Sequence, residues 1–243
     1  MNLTTRKWEV FEISLQSNPG QNPFLDVSLS AEFTHAQDKV LVHGFFDGGD
    51  EFKIRFMPGV EGIWTYVTHS NVPALDGQTG QFECSAAAAN THGVVRVKNT
   101  FHFAYQDGTP FYPVGTTCYA WIYQSDERQL QTLETLKNSG FNKIRMCAFP
   151  KYYDYNRALP AIYPYVGNEE TGFDPYRPNP AFFQLLDQRV KELAELGIEA
   201  DLILFHPYEK PTWGFNLMGK KAGQRWATKL GGSAVSYRIV SVS

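Results

Sequence analysis

The sequence has few cysteines, no basic stripe and no long apolar run, and each shortage excludes something. Three cysteines, Cys84, Cys118 and Cys147, are scattered over 243 residues with no CxxC pair. That odd set supports neither a disulfide framework nor a zinc site; it predicts free buried thiols in a reducing compartment. Lys and Arg number 22 against 25 Asp and Glu, a net charge of −3. Neutralising a phosphate backbone needs clustered cations, so nucleic acid is excluded as the main partner. No apolar run approaches the roughly 18 residues of a membrane span, so no membrane partner is expected. The N-terminal "MNLTTRKWEVFEISLQ" lacks the apolar centre of a signal peptide, which predicts a cytoplasmic protein. The six histidines form no HxH or HExxH pattern, so no metal is expected, and no cofactor motif is present.

Aromatic residues, by contrast, make up 15% of the chain. Rings fill large cores and also make flat platforms for sugars, so their number alone does not separate the two uses.

Residues 5 to about 90 alternate with period two. Leu25, Val27, Leu29, Ala31 and Phe33 fall on one face of "PFLDVSLSAEFTH", and Phe52, Ile54 and Phe56 on one face of "EFKIRFMPG". The runs "KWEVFEISLQ", "KVLVHGFFDG", "GIWTYVTHS" and "TGQFECSA" are also strand-like, separated by Asn-Pro-Gly, Asp-Gly-Gly and Pro-Gly turns. Short strands with turns at this spacing predict an antiparallel β-sandwich. Asp47, Asp50 and Glu51 in "DGGDE" lack the alternating spacing of a calcium loop, and read as a solvated hairpin turn.

After the small-residue stretch "SAAAANTHGVV" the period changes. "PFYPVGTT" reads as a strand. "SDERQLQTLETLKNSG" reads as a helix with Ser125 as its cap, Asp126 and Glu127 in the first turn, Leu130, Leu133 and Leu136 on its apolar face and Gly140 at C′. "NKIRMCAF" is a second strand, followed by a long loop from Pro150 to about Pro178. Asn179 and Pro180 open a second helix with Phe182, Phe183, Leu186, Val190 and Leu193 at helical spacing, ended by Gly197. "IEADLILFH" is a third strand. Strands read as near-continuous apolar runs in a β-α-β-α-β order predict a parallel sheet, either open and doubly wound or a (β/α)8 barrel. The first strand-to-helix turn has no GxGxxG or phosphate loop, which weakens a nucleotide-binding open sheet.

In either architecture ligands bind where parallel strands end. The three strand ends carry Trp121, with Tyr119 and Tyr123 beside it; Arg145, Lys151 and Tyr152, with Tyr153 and Asp154; and His206, Tyr208 and Trp213, with Glu209. The rings are candidates for stacking on a sugar, or for covering the mouth of the sheet. Arg145 needs a partner inside an apolar strand: it either orients a carboxylate at a binding site or forms an internal ion pair with Asp201 or Glu199. His206 is either a hydrogen-bond partner of a ligand hydroxyl or a structural residue.

"FHFAYQDGTPFYPVGTTCYAW", "GFNKIRMCAFPKYYDYN" and "LILFHPYEKPTWGF" resemble the opening of the catalytic barrel in bacterial glycoside hydrolases of the apiosidase-like group. "WEVFEISL" and "GFFDGGDEFKIRFMPGVEGIWTYV" resemble the DUF5060 β-sandwich that precedes such barrels. The resemblance implies a carbohydrate substrate and a multidomain chain: a sandwich over residues 5–90, the first part of a (β/α)8 barrel over 91–218, and an atypical tail over 219–243. It further implies an acid/base Glu in an Asn-Glu pair after the fourth strand and a nucleophile Glu after the seventh. The only Asn-Glu here is Asn168-Glu169, after the second strand. A full barrel takes about 250 residues, whereas Thr100 to Gly219 holds three β/α units. The expectation is an incomplete (β/α)8 barrel, truncated, with no catalytic carboxylate of its own and no turnover. The tail "GKKAGQRWATKLGGSAVSYRIVSVS" has five Lys or Arg and no Asp or Glu; it is expected to be an alternative reading frame or a truncation scar, or else a basic disordered end. The competing functional reading is a non-enzymatic carbohydrate-binding or domain-docking sandwich module.

Overall fold

The computed structural model describes residues 3–152, 154–157 and 159–203, which divide into two compact units, the chain passing from the first to the second between Phe111 and Tyr112. No described helix is long and apolar enough to cross a membrane.

The first unit contains β1 (Leu3–Arg6), β2 (Phe11–Gln16), a single helical turn α1 (Pro23–Asp26), β3 (Leu29–His35), β4 (Asp38–His43), β5 (Phe45–Gly48), β6 (Glu51–Phe56), β7 (Gly62–Ser70) and β8 (Thr79–Ser85). A further three strands follow: β9 (Val95–Lys98), β10 (His102–Tyr105) and β11 (Pro110–Phe111). They pair as a five-stranded sheet in the order β1-β8-β7-β3-β4, a three-stranded sheet β2-β6-β5 and a small sheet β11-β10-β9. The first two sheets share one apolar cluster: Phe11, Phe52, Ile54 and Phe56 come from one, Leu29, Ala31, Phe33, Trp64 and Phe82 from the other. Period-two patterning produces this directly, since alternate residues of each strand point to one face. Two ring pairs join the sheets, Phe11 on Phe82 at 3.9 Å and Phe33 on Phe56 at 4.2 Å between centroids, both near-parallel.

Several details depart from the sequence reading. The strand-like run "KVLVHGFFDG" is two strands, β4 in the larger sheet and β5 in the smaller, with Gly44 as the corner. A Cβ at Gly44 would sit 2.7 Å from Leu29 and 2.9 Å from Ile54, so the chain can change sheets only where it has no side chain. Leu25 and Val27 do not extend β3: Pro23 at N1 and the Asn22 side chain, which accepts from Phe24 N–H, turn that stretch into α1. β1 pairs with β8 in parallel within an otherwise antiparallel sheet; the whole of β2–β7 supplies the long crossover that a parallel neighbour requires. Asp47 is not solvated. It is 4% exposed and pairs with Lys53 Nζ at 2.9 Å, while Glu12 pairs with Arg55 Nε at 2.6 Å.

The second unit contains β12 (Gly115–Thr117), a 3-10 turn at Trp121–Tyr123, α2 (Asp126–Lys137), β13 (Lys143–Cys147), β14 (Tyr165–Asn168), β15 (Gly172–Pro178), α3 (Pro180–Glu195) and β16 (Glu199–Ile203). β12, β13 and β16 form a parallel sheet in that order. Ser125 caps α2 by accepting from Arg128 N–H, and Asn179 caps α3 by accepting from Ala181 N–H with Pro180 at N1. Gly197 follows α3 at φ 75°, the left-handed conformation that ends helices. Gly140 has no such role: α2 ends at Lys137 with Asn138 as its C-cap, so the C′ position falls on Ser139.

The buried face of α2 is also shifted. Leu136 is buried, but Leu130 is 52% exposed and Gln129 only 2%. Gln129 is buried because its amide closes a polar junction. Its Nε2 donates to the Gln124 carbonyl at 2.7 Å and the Ile122 carbonyl at 3.3 Å; its Oε1 accepts from Arg189 Nε at 2.7 Å. The Gln129 carbonyl accepts from the Trp121 indole N–H at 3.2 Å. Arg189, 4% exposed, is matched in turn by Glu192 at 2.8 Å. α2 and α3 are therefore joined through these two side chains.

The expected loop from Pro150 to Pro178 contains the hairpin β14–β15. Asn168 turns it: its Oδ1 accepts from the N–H groups of Glu170 and Thr171 at 2.9 and 2.8 Å. Two prolines in β15 hid the strand, and Pro is tolerated there because a two-stranded ribbon has only edges.

Gly44→Ala is expected to lower stability by about 1–3 kcal/mol through overpacking against Leu29 and Ile54, read as a lowered denaturant midpoint with an unchanged slope. Gln129→Leu is expected to cost about 2–4 kcal/mol because Arg189 and two carbonyls lose their partner in a buried site. Gln129→Glu, which returns acceptors to Arg189 but no donor to the carbonyls, should recover part of that loss in the same melt.

Candidate functional site

Parallel strands deliver their C-terminal ends to one edge. Here Thr117, Cys147 and Ile203 end β12, β13 and β16, and the loops after the first two are tied together. Cys118 N–H donates to the Arg145 carbonyl at 2.9 Å and Cys147 N–H to the Tyr119 carbonyl at 3.0 Å. The Tyr123 hydroxyl donates to the Ala148 carbonyl. Gln124 Nε2 donates to Asn156 Oδ1 at 2.8 Å, and Asn156 Nδ2 donates to the Lys151 carbonyl at 3.1 Å. Burial, with the Cys147 thiol nearby, holds the Tyr123 phenol well above its usual range, so it remains a donor at neutral pH. Burial also raises the Cys118 thiol, and a protonated thiol is a poor nucleophile.

Register fixes which side chains share a face. Thr117, Arg145 and Asp201 are partners across the three strands, as are Gly115, Lys143 and Glu199 two residues earlier. These two rows form one polar face. Alternation sends Ile144, Met146, Ala200 and Leu202, each 0–1% exposed, to the other. Asp201 is wholly buried, and its Oδ2 accepts from Lys143 Nζ at 2.8 Å and Arg145 Nε at 2.9 Å. Burying a carboxylate is tolerated when two cations compensate it. Of the two roles open for Arg145, the ion pair with Asp201 is therefore present. The Arg145 side chain as a whole nonetheless stays 42% exposed.

Trp121 needs correction as a stacking platform. It is 3% exposed with its indole N–H spent on the Gln129 carbonyl, and a ring that stacks on a sugar needs an open face. Tyr123 is buried likewise, its ring 5.8 Å from that of Phe182 and parallel to it. Lys151 is half-buried and Tyr152 is 38% exposed, in the segment following β13. Asn168-Glu169 is the turn of a surface hairpin, with Glu169 accepting from the Tyr163 hydroxyl. Tyr153, His206, Tyr208, Glu209, Trp213 and the segment 219–243 lie outside the described residues. Sequence reasoning passed over Lys143 as a member of the polar face; period two from Arg145 was the signal that could have found it. Among the described residues no group of three or more His, Cys, Asp or Glu is placed to hold a metal ion.

Two family models match the chain, DUF5060, a domain of unknown function, over residues 4–71 and the apiosidase-like catalytic domain over residues 97–237. The second match takes in most of the basic segment after Gly219. No curated protein matches. A solved Bacteroides vulgatus protein, assigned as a glycoside hydrolase, is 41% identical and superposes with a TM-score of 0.93 over 98% of this chain. The chain spans 48% of that protein's length. A family 5 glycoside hydrolase from the same organism reaches a TM-score of 0.34 at 14% identity, over 61% of this chain and 39% of its own. A family 39 glycoside hydrolase from Bacteroides cellulosilyticus reaches 0.26 at 13% identity, over 94% and 39%. With residues 97–237 matched by the apiosidase-like catalytic domain and residues 4–71 by DUF5060, this chain belongs to the apiosidase-like catalytic domain family.

Proposed function

We propose that the chain is the N-terminal part of a glycoside hydrolase, an antiparallel β-sandwich followed by the first three β/α units of a (β/α)8 barrel. The longer protein would cut glycosidic bonds in poly- or oligosaccharides. The observation that carries this reading is the one-sided arrangement of the second unit. Strand order runs in a single direction, β12-β13-β16, and α2 and α3 are linked to each other through Gln129 and Arg189. A doubly wound sheet reverses direction and covers both faces with helices, whereas a barrel keeps its helices outside and turns the other face to the lumen. The face left for the lumen bears Thr117, Lys143, Arg145 and Asp201.

Glycosidic cleavage needs one carboxyl group to protonate the leaving oxygen and a second to attack the anomeric carbon or activate water. Asp201 is unsuited to either task, being wholly buried and matched by two cations. Glu169 is engaged by Tyr163 on a hairpin turn. The catalytic pair is therefore assigned to later strand ends of the longer protein, as in the resembling barrels. Arg145, Lys151 and Tyr152, together with His206, Tyr208 and Trp213, are assigned to carbohydrate contact. Trp121 is assigned to packing beneath them.

The purified chain is expected to release no aglycone from a panel of aryl glycosides. Turnover that Arg145→Ala abolishes would put the complete machinery within this chain and overturn the assignment. In the longer protein, Arg145→Ala is expected to lower kcat/KM by about tenfold or more, roughly 1.4 kcal/mol per tenfold.

A further inference from the structure

Arg145 is held at one end and open at the other. Its Nε–H donates to Asp201 Oδ2 at 2.9 Å, and no described residue accepts from Nη1 or Nη2. A guanidinium is planar, with its five donors in a fixed fork. Fixing Nε through a wholly buried carboxylate therefore leaves the terminal edge aimed in one direction. Register explains the precision: Arg145 and Asp201 are Cα partners on adjacent parallel strands, so their side chains leave the sheet on the same face. Lys143, two residues earlier on that face, reaches the same Oδ2 at 2.8 Å with only 21% of its side chain exposed. It adds a second cation to Asp201, but an ammonium is a point charge with no plane to orient.

We propose that Asp201 is a positioning residue: it pins Arg145 by Nε so that Nη1 and Nη2 present a preset, two-pronged site for paired oxygen acceptors, as a carboxylate displays them. Lys143 is a second cation on the same carboxylate oxygen, and the hold on Arg145 does not depend on it. The proposal rests on reading this polar face as the substrate side of the sheet. It deepens that reading by separating the residue that contacts a ligand from the one that aims it.

The test follows the Arg145 side chain by nuclear magnetic resonance in the whole chain, with acetate as the carboxylate probe. Wild type is expected to show Arg145 with a protected Nε–H and two separately resolved Nη groups, which shift as acetate is added. In Asp201→Asn the two Nη signals should merge through free rotation, and the acetate response should weaken about fivefold as preorganisation is lost. Lys143→Met should keep the separate signals. If Asp201→Asn does not fold, the charge-balanced double variant Lys143→Met, Asp201→Asn takes its place with the same expected merging. Unmerged signals in the folded Asn variant would overturn the proposal. So would equal loss in Lys143→Met, which would reduce the pair to charge balance alone. Hydrolysis enters none of these readouts: an inactive longer protein would remove the carbohydrate reading and leave the hold of Asp201 on Arg145 standing.

Discussion

The second unit depends on one buried polar contact, the Gln129 amide against the Arg189 guanidinium. A strand-helix-strand crossover is right-handed, so consecutive strands added in one direction put their helices on one face. The Gln129–Arg189 contact locks that outcome by holding α2 and α3 together where both are buried. On the reading proposed above, with the helices on one side, the other side of the sheet is free to carry charge. Had α3 crossed to the opposite face, Lys143, Arg145 and Asp201 would meet its apolar side chains, Phe182, Phe183 and Leu186 among them, and a buried charge cluster there would be costly.

The first unit answers to a different constraint, the closeness of two sheets over one aromatic core. Four rings in two near-parallel pairs span the gap. The chain passes from the larger sheet to the smaller at Gly44, against Leu29 and Ile54, where no Cβ fits. Charge is managed at the smaller sheet: Lys53 sits among Asp47, Glu12 and Glu51, and Arg55 lies over the Phe45 ring.

Much of this was legible from local pattern. Phe52, Ile54 and Phe56 at period two are buried in one cluster. Ser125 and Asn179 cap the helices that their spacing announced. Where local rules failed, something distant had decided. Leu130 lost its place in the core to Gln129 because carbonyls at residues 122 and 124 and a guanidinium on α3 needed an amide there. The β14–β15 hairpin was obscured by prolines, which an edge strand admits. Trp121 looked like a surface ring because it follows a strand end, yet its indole N–H found a carbonyl inside the unit.

The amino-acid sequence by itself determined the two-part plan, the alternation of strands and helices in the second part, and the residue types gathered at the strand ends. Periodicity and capping depend on neighbours a few positions apart, so they can be read along a chain. What only the tertiary structure decided is how Arg145 is used. Its partner, Asp201, lies 56 positions away, and the two meet because β13 and β16 pair in one particular register. A shift of that register by a single residue would send one of the two side chains to the opposite face. No local pattern encodes that choice.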